Sequence, residues 1–274
     1  MQLKQAILPL AGLGTRFLPW TKIVPKELLP IGNRPVIALL VDECLDAGVD
    51  DICFVLSHGK ELIREYFQRD IALEKLLAAR GKGSLLDDLK KYDRVRFHVV
   101  YQEEQLGDGH AILQARDWIK DEFVAILFGD DYFIHPQKAL EQLHQAFISL
   151  APQERGAMIA LENIPRERTQ KYGIVEIERK NMENARLQKI KGLVEKPAPE
   201  DAPSTLGIVG RYIIPKSTLA VLPQIKGGHS GEIRLIDALK TQLKTIPIYG
   251  YECEGKRLDT GTPEGYKEAV MILG

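Results

Sequence analysis

Ile7-Leu8-Pro9-Leu10-Ala11-Gly12-Leu13-Gly14-Thr15-Arg16 is an apolar run that ends in small residues, two glycines and a cation, and Pro25-Lys26-Glu27-Leu28-Leu29-Pro30 follows closely. The run reads as a buried strand, because a strand covered on both faces needs no polar alternation. The glycines let backbone N–H groups approach a ligand with no Cβ in the way. Arg16 and Lys26 set fixed positive charge beside that loop. Phosphate is the natural ligand for such a place.

The glycine spacing matches neither common nucleotide fingerprint. Phe17 stands where the dinucleotide pattern needs its third glycine, and no Gly-Lys-Ser/Thr follows four spacers. Gly12 and Gly14 alone fit an ordinary strand-to-helix turn equally well. The two flanking cations, poor core residues, tip the reading toward an anion site.

Outward from the loop the chain alternates strand and helix, which implies a largely parallel sheet covered on both faces. Strands are expected at about 4–10, 51–56, 95–100 and 123–128, and helices at about 35–47, 60–67, 111–119 and 136–149. Residues 69–94 are polar and charged, with Gly81-Lys82-Gly83 between two helical pieces, and read as an insertion outside the sheet. The second half changes texture. Strand-like pieces near 156–162, 172–178, 186–194 and 206–214 suggest antiparallel strands in a smaller lobe or sheet extension. A helix at 231–243, a strand at 245–251 and a closing helix at 263–273 complete the pattern.

Composition sets the limits. The 274 residues allow one large α/β domain or one domain with an appendage. A net charge of −1 argues against binding nucleic acid by bulk attraction. No apolar run approaches the roughly 20 residues that span a bilayer, so no membrane association is expected. The chain runs from Met1 directly toward the first strand, so no signal peptide is expected. Cys44, Cys53 and Cys253 are odd in number and lack metal-type spacing, which fits buried thiols in a reducing, cytoplasmic setting.

Asp130 and Asp131 sit just past a buried strand, where open α/β sheets place their ligand crevice. Carboxylates there suit Mg²⁺; they equally suit a helix cap or turn. In Lys256-Arg257-Leu258-Asp259-Thr260-Gly261-Thr262, Asp259 could bring a second metal ligand, while Thr260 or Thr262 caps the helix that Pro263 opens. Glu195 could accept from two sugar hydroxyls and Lys196 could neutralise a sugar phosphate; an exposed ion pair at a sheet edge is the plainer reading. Gln102, with donor and acceptor on one amide, matches a uracil edge, and Gly107 gives close backbone approach before the next helix. His110 reads as a structural residue at a helix start. No Ser/His/Asp or Cys/His arrangement is visible.

These pieces, in this order, resemble the sugar-phosphate nucleotidyltransferases, and among them the bacterial UTP–glucose-1-phosphate uridylyltransferases. The resemblance spans essentially the whole chain. It rests on residues 11–19 and 25–30, Gln102 with 107–111, Phe128-Gly129-Asp130-Asp131, Tyr172-Gly173-Ile174, Val194-Glu195-Lys196-Pro197, Gly210-Arg211-Tyr212, residues 231–238 and Asp259-Thr260-Gly261. Two positions depart from the pattern. Asp108 stands where relatives commonly carry Leu, and Trp20 replaces a smaller residue.

The resemblance implies a Rossmann-like three-layer α/β nucleotide-diphospho-sugar transferase fold. Its central sheet would be mixed and mostly parallel, with a small antiparallel extension. It implies a single domain: a nucleotide-binding half at about 1–135, a sugar-phosphate-binding half at about 136–262 and a C-terminal helix at about 263–274. Ala11, Gly12 and Gly14 would hold the nucleotide through backbone groups, and Gln102 and Gly107 would read the base. Arg16 and Lys26 would grip the triphosphate and the departing pyrophosphate. Asp130 and Asp259 would hold Mg²⁺. Gly173 and Glu195 would hold the sugar hydroxyls, and Lys196 the sugar phosphate, which displaces the plainer reading of that pair. The implied substrates are UTP and glucose 1-phosphate. Variants keep the chemistry with dTTP or another hexose 1-phosphate, or keep the fold without catalysis. The implied assembly is a homo-oligomer, dimer or tetramer, for which the apolar C-terminal helix offers a packing face; that helix could equally finish the core.

Overall fold

The computed structural model describes residues 2–180, 184–225 and 231–274; Met1, with which the leader reading began, lies outside them. Strand β1 (Gln5–Pro9) is buried along nearly its whole length, as a central parallel strand should be. Its side chains alternate between two apolar layers: Ala6, Leu8 and Leu10 enter one, Ile7 the other. After β1 the chain makes three short 3-10 turns, the first entered through Gly14 at φ 65. Thr21 Oγ1 closes that turn by donating to the Gly14 carbonyl at 2.8 Å. A small hairpin, β2 (Pro30–Ile31) and β3 (Arg34–Pro35), then leads into helix α1 (Val36–Asp46). Val36, Ile37, Leu40, Val41 and Cys44 form its buried face, and Gly48 at φ 82 ends it in the left-handed conformation that glycine allows.

Strand β4 (Asp51–Leu56) is buried throughout. Helix α2 (Leu62–Glu65) follows, and then the insertion with α3 (Ile71–Ala79) and α4 (Asp87–Lys90). Asp70 caps α3 by accepting from the Leu73 N–H at 2.9 Å, yet α3 buries none of its residues. Strand β5 (Arg96–Tyr101), helix α5 (Asp108–Gln114) and strand β6 (Phe123–Leu127) return to the sheet. Helix α5 begins three residues before its expected start, because Gly107 at φ 102 turns the chain and Asp108 suits the positive end of a helix.

Beyond β6 come β7 (Asp131–Ile134), α6 (Ala139–Ser149), β8 (Ala157–Asn163), β9 (Gly173–Lys180), β10 (Leu187–Glu195) and β11 (Leu206–Pro215). Helices α7 (Ser217–Val221) and α8 (Leu235–Gln242), strands β12 (Ile248–Glu252) and β13 (Lys256–Asp259), and helix α9 (Pro263–Leu273) complete the chain. Thr262 caps α9 by accepting from the Gly265 N–H at 3.2 Å.

Nine strands of the described residues form one sheet in the order β5-β4-β1-β6-β11-β8-β12-β10-β9. Only β10 and β11 run against the rest. The second half therefore extends the first half's sheet and makes no lobe of its own. One apolar layer packs α1 and α6 on the sheet, the other α5 and α8. The result is the three-layer, mixed and mostly parallel architecture expected from the sequence.

Strand β1 lies between β4 and β6, so the chain leaves it on one side and returns on the other. A crevice opens outside the carboxyl ends of strands at such a reversal. Leu10 to Gly12 and Phe128 to Asp130 both emerge there. The short pair β7–β13 brings Asp259 opposite Asp131, although 128 residues separate them. Both strands are only four residues long, and β13 has Leu258 as its one apolar residue, so neither announces itself in the sequence.

Candidate active site

The crevice holds a cavity of about 320 Å³. Of the sequence-predicted residues it brings together Ala11, Gly12, Lys26, Gln102, Gly107 and Asp130. Gln102 is buried, and its amide nitrogen donates to the Gly107 carbonyl at 3.0 Å and lies 3.1 Å from His110 Nδ1. His110 thus helps to hold the Gln102 amide, in keeping with a structural role. Gly107 must be glycine on two counts. Its φ is positive, and a Cβ there would stand 2.6 Å from the Ile233 carbonyl.

The ammonium of Lys26 meets the carboxylate of Asp130. Burial works against the charged Lys26, but Asp130 and Glu27 outweigh it and raise its pKa. Beneath the loop lies an ion pair the sequence did not announce. Lys60 is buried, and its ammonium reaches both oxygens of buried Glu27 at 3.0 and 3.1 Å and the Leu10 carbonyl at 2.6 Å. Burial lowers the Lys60 pKa, with Glu27 opposing. Lys60 reads in sequence as the first residue of a helix, and only its reach back to Glu27 reveals its place.

Arg16, Gly14 and Asp259 do not line this cavity. Arg16 instead donates to the Gly261 carbonyl at 3.2 Å, joining the loop to the turn that carries Asp259. That turn interlocks with the Asp130 turn. The Thr260 N–H and hydroxyl donate to the Asp130 carbonyl at 2.7 and 3.1 Å, and Asp259 Oδ1 accepts from the Gly261 N–H at 3.0 Å. Burial raises the Asp259 pKa, and the charges of Asp131 and Asp130 add to it. Asp130 has Lys26 as counter-ion and Asp131 has Arg257. Asp259 is held mainly by a backbone N–H. A carboxylate cluster with one member so weakly compensated favours a cation. Two carboxylates are too few for a closed all-protein site, and among the described residues no larger ligand group forms. A divalent cation that takes its remaining ligands from water and phosphate suits such a donor set.

A second cavity, of about 180 Å³, brings together Tyr172, Gly173, Glu195, Lys196 and Arg234. A Cβ at Gly173 would stand 2.6 Å from the Ile236 side chain and 3.3 Å from Glu195 Oε2. Lys196 has φ 46, a conformation that L-residues adopt at a cost, and its N–H donates to the Tyr172 carbonyl at 3.0 Å. Glu195 lies 3.4 Å from Lys196 and 3.5 Å from Arg234. Strand β10 pairs β12 only over Leu187–Lys189 and has β9 alone beside it at Glu195, so Glu195 and Lys196 also form the ion pair at an open strand side that the plainer reading expected. Sequence reasoning did not single out Arg257. It reaches Asp131 at 2.5 Å, Glu162 at 2.6 Å and the Tyr172 hydroxyl at 2.6 Å. A two-residue period over β13 would have placed Arg257 and Asp259 on one face, opposite buried Leu258.

Asp108 accepts from the Leu235 N–H at 2.8 Å, a hydrogen bond that caps α8 from a distant part of the chain. Burial raises its pKa to about 6, opposed by the Leu235 and Gly109 N–H groups. A further cavity, of about 510 Å³, lies against the insertion and contains none of the sequence-predicted site residues.

A family model described as nucleotidyl transferase matches residues 5–274. The chain belongs to the nucleotidyl transferase family. Among curated members it is 39% identical over 262 residues to a UTP–glucose-1-phosphate uridylyltransferase of Komagataeibacter xylinus, covering 95% of this chain and 90% of that one. It is 37% identical over 269 residues to the protein of that name from Pseudomonas aeruginosa, covering 98% and 95%. A crystal structure of UDP-glucose pyrophosphorylase complexed with UDP-glucose superposes with a TM-score of 0.87 at 34% identity, over 99% of this chain and 98% of that one. The UTP-bound enzyme of Acinetobacter baumannii does so with a TM-score of 0.89 at 32% identity, over 100% and 94%. Among the described residues no helix is long and apolar enough to cross a membrane.

Proposed function

We propose that this nucleotidyl transferase moves a uridylyl group from UTP to glucose 1-phosphate, giving UDP-glucose and pyrophosphate. The observation that carries the reading is the adjacency of two cavities. One is lined by Gly12, Lys26, Gln102 and Asp130, the other by Gly173, Glu195 and Lys196, and Asp108 belongs to both. An oxygen of the sugar phosphate attacks the α-phosphorus in line, a new P–O bond forms, and the bond to the bridging oxygen breaks as pyrophosphate takes the electron pair. A phosphate monoester has a second pKa of about 6 and is already an anion at neutral pH, so no general base is needed. The protein's work is to bring two anions together and to stabilise charge as it moves to the leaving group.

Ala11, Gly12 and Gly14 would hold the nucleotide through backbone groups, and the Gln102 amide and Gly107 would read uracil. Arg16 and Lys26 would stabilise the departing pyrophosphate. Gly173 and Glu195 would hold glucose hydroxyls, and Lys196 the sugar phosphate. Asp130 and Asp259 would hold Mg²⁺, which when bound neutralises phosphate charge. In this reading the nucleotide half is about 1–135, the sugar half about 136–262, and helix 263–274 supports a dimer or tetramer. The three cysteines, free and buried, fit the cytoplasm.

The test is a matrix of nucleoside triphosphates against sugar 1-phosphates, read as pyrophosphate release. The expected result is release with UTP and glucose 1-phosphate together and with neither alone. Turnover with dTTP in preference to UTP would move the assignment to another base. Silence across the matrix would leave only a non-catalytic relative.

A further inference from the structure

Asp108 alone among the described residues lines both the nucleotide-side and the sugar-side cavity. Its position is fixed from two directions. The segment that carries it is zipped to residues 233–235: the Ile233 N–H donates to the Leu106 carbonyl at 2.7 Å, and the Gly109 N–H donates to the Ile233 carbonyl at 2.9 Å. Asp108 Oδ1 then accepts from the Leu235 N–H at 2.8 Å. The neighbours of Leu235, Arg234 and Ile236, both line the sugar-side cavity. Arg234 is engaged by Asp237 at 2.9 Å and faces Glu195 at 3.5 Å. The Leu235 N–H is the hydrogen-bond donor to Asp108, while the Gly109 N–H is committed to the Ile233 carbonyl.

A carboxylate offers about four acceptor sites, so the one N–H donor from Leu235 leaves capacity for a ligand. What such a group can take at the join of the two cavities follows from its charge. Phosphate oxygens are anionic and are repelled. A hydroxyl is a good partner, and its hydrogen bond to a charged acceptor is the stronger kind. A hexose 1-phosphate enters this join with its phosphate toward the nucleotide, so its nearest hydroxyl is on C2, next to the anomeric carbon.

We propose that Asp108 is a specificity-determining residue that accepts a hydrogen bond from the C2 hydroxyl of the hexose 1-phosphate. The proposal rests on the sugar-nucleotide reading above. It makes the enzyme selective against sugars that lack this hydroxyl, because a half-buried acceptor that the bound sugar closes off from water and leaves without its donor penalises the wrong ligand.

The experiment compares kcat/KM for glucose 1-phosphate and 2-deoxyglucose 1-phosphate at saturating UTP, and for UTP and dUTP at saturating glucose 1-phosphate. Wild type, Asp108→Asn and Asp108→Leu are measured side by side. Wild type is expected to prefer glucose 1-phosphate by about 10- to 100-fold, the range of one hydrogen bond to a charged group. Asp108→Leu should reduce that preference to about threefold or less, with the change in KM for the sugar phosphate. Asp108→Asn keeps an acceptor for Leu235, so it should fold like wild type, and its neutral amide should give an intermediate preference. An unchanged sugar preference in Asp108→Asn and in any folded Asp108→Leu would reduce Asp108 to a helix cap and overturn the proposal. A change confined to the UTP:dUTP ratio would place the hydroxyl on ribose and overturn it too. Failure of wild type to use either sugar defeats the underlying reading, a result distinct from both.

Discussion

Arg257 Nη1 lies 2.5 Å from Asp131 Oδ1, and the same guanidinium reaches Glu162 and the Tyr172 hydroxyl, so one side chain ties the Asp130-Asp131 turn to the wall of the sugar-side cavity. Arg257 is 8% exposed and Asp131 13%, so neither charge is well served by water. Arg257→Met would leave two carboxylates facing an apolar chain. Breaking a buried pair in this way costs about 3–5 kcal/mol, and urea unfolding should show a loss of that order. A loss of about 0.5 kcal/mol or less would mark the cluster as solvent-screened, contrary to its geometry.

In the proposed reaction Lys26 would act on chemistry more than on binding. Its ammonium meets Asp130 within the nucleotide-side cavity, where charge would gather on a leaving pyrophosphate. Lys26→Met should lower kcat by about 10²- to 10³-fold, the usual cost of removing one stabilising group for developing charge. Steady-state pyrophosphate release measures it. A rise in KM for UTP with kcat intact would assign Lys26 to ground-state binding instead.

Asp259 should be read through metal dependence. It lies across the β7–β13 pair from Asp131, and burial with neighbouring carboxylates raises its pKa. Chelation with EDTA should abolish turnover, and Mg²⁺ should restore it. Asp259→Asn should raise the Mg²⁺ concentration for half-maximal activity by roughly tenfold or more. An unchanged Mg²⁺ requirement would remove Asp259 from the metal site.

The layout of the first half was legible because it is written in apolar periodicity. Residues 51–56 read as a strand and form one over the same residues, and the Val36, Leu40 and Cys44 spacing gives α1. Residues 263–273 likewise gave α9 from Pro263 onward. The strands β7 and β13 were illegible because they are four residues long, β13 carries three charged residues of four, and their pairing is a long-range fact. Charged partners such as Lys60 with Glu27, or Arg257 with Asp131, are equally non-local. A lone Lys or Arg in sequence looks solvated until the fold removes its water. Asp108 was legible as a departure from its relatives, but its bond to Leu235 was not, since 127 residues separate them.

The Lys60–Glu27 pair makes a stability prediction of its own. Both side chains are buried, and Lys60 also supports the Leu10 carbonyl just before the nucleotide loop. Lys60→Met strands a buried carboxylate and should cost about 3–5 kcal/mol in urea unfolding. Adding Glu27→Leu removes the stranded charge, so the double variant should recover much of that loss. Additive losses in the double variant would show that the two side chains act independently.

Asp108 gives the protein a pH-dependent term of definite sign. Burial lifts its pKa from 3.8 to about 6; Leu235 and Gly109 N–H groups and Arg234 oppose the rise, and Glu195 adds to it. The folded state therefore holds this proton more tightly than the unfolded chain between about pH 4 and 6. In that window folding takes up a proton, so the contribution of Asp108 to stability falls as pH rises and levels off above about 6. Asp108→Asn keeps an acceptor for the Leu235 N–H but cannot titrate. The stability of wild type relative to Asp108→Asn should therefore fall from about pH 4 to 7, measured as the difference in urea unfolding free energy at each pH. A difference that rises across this range would mean that Asp108 is stabilised as the anion, and burial would not be the dominant influence on it.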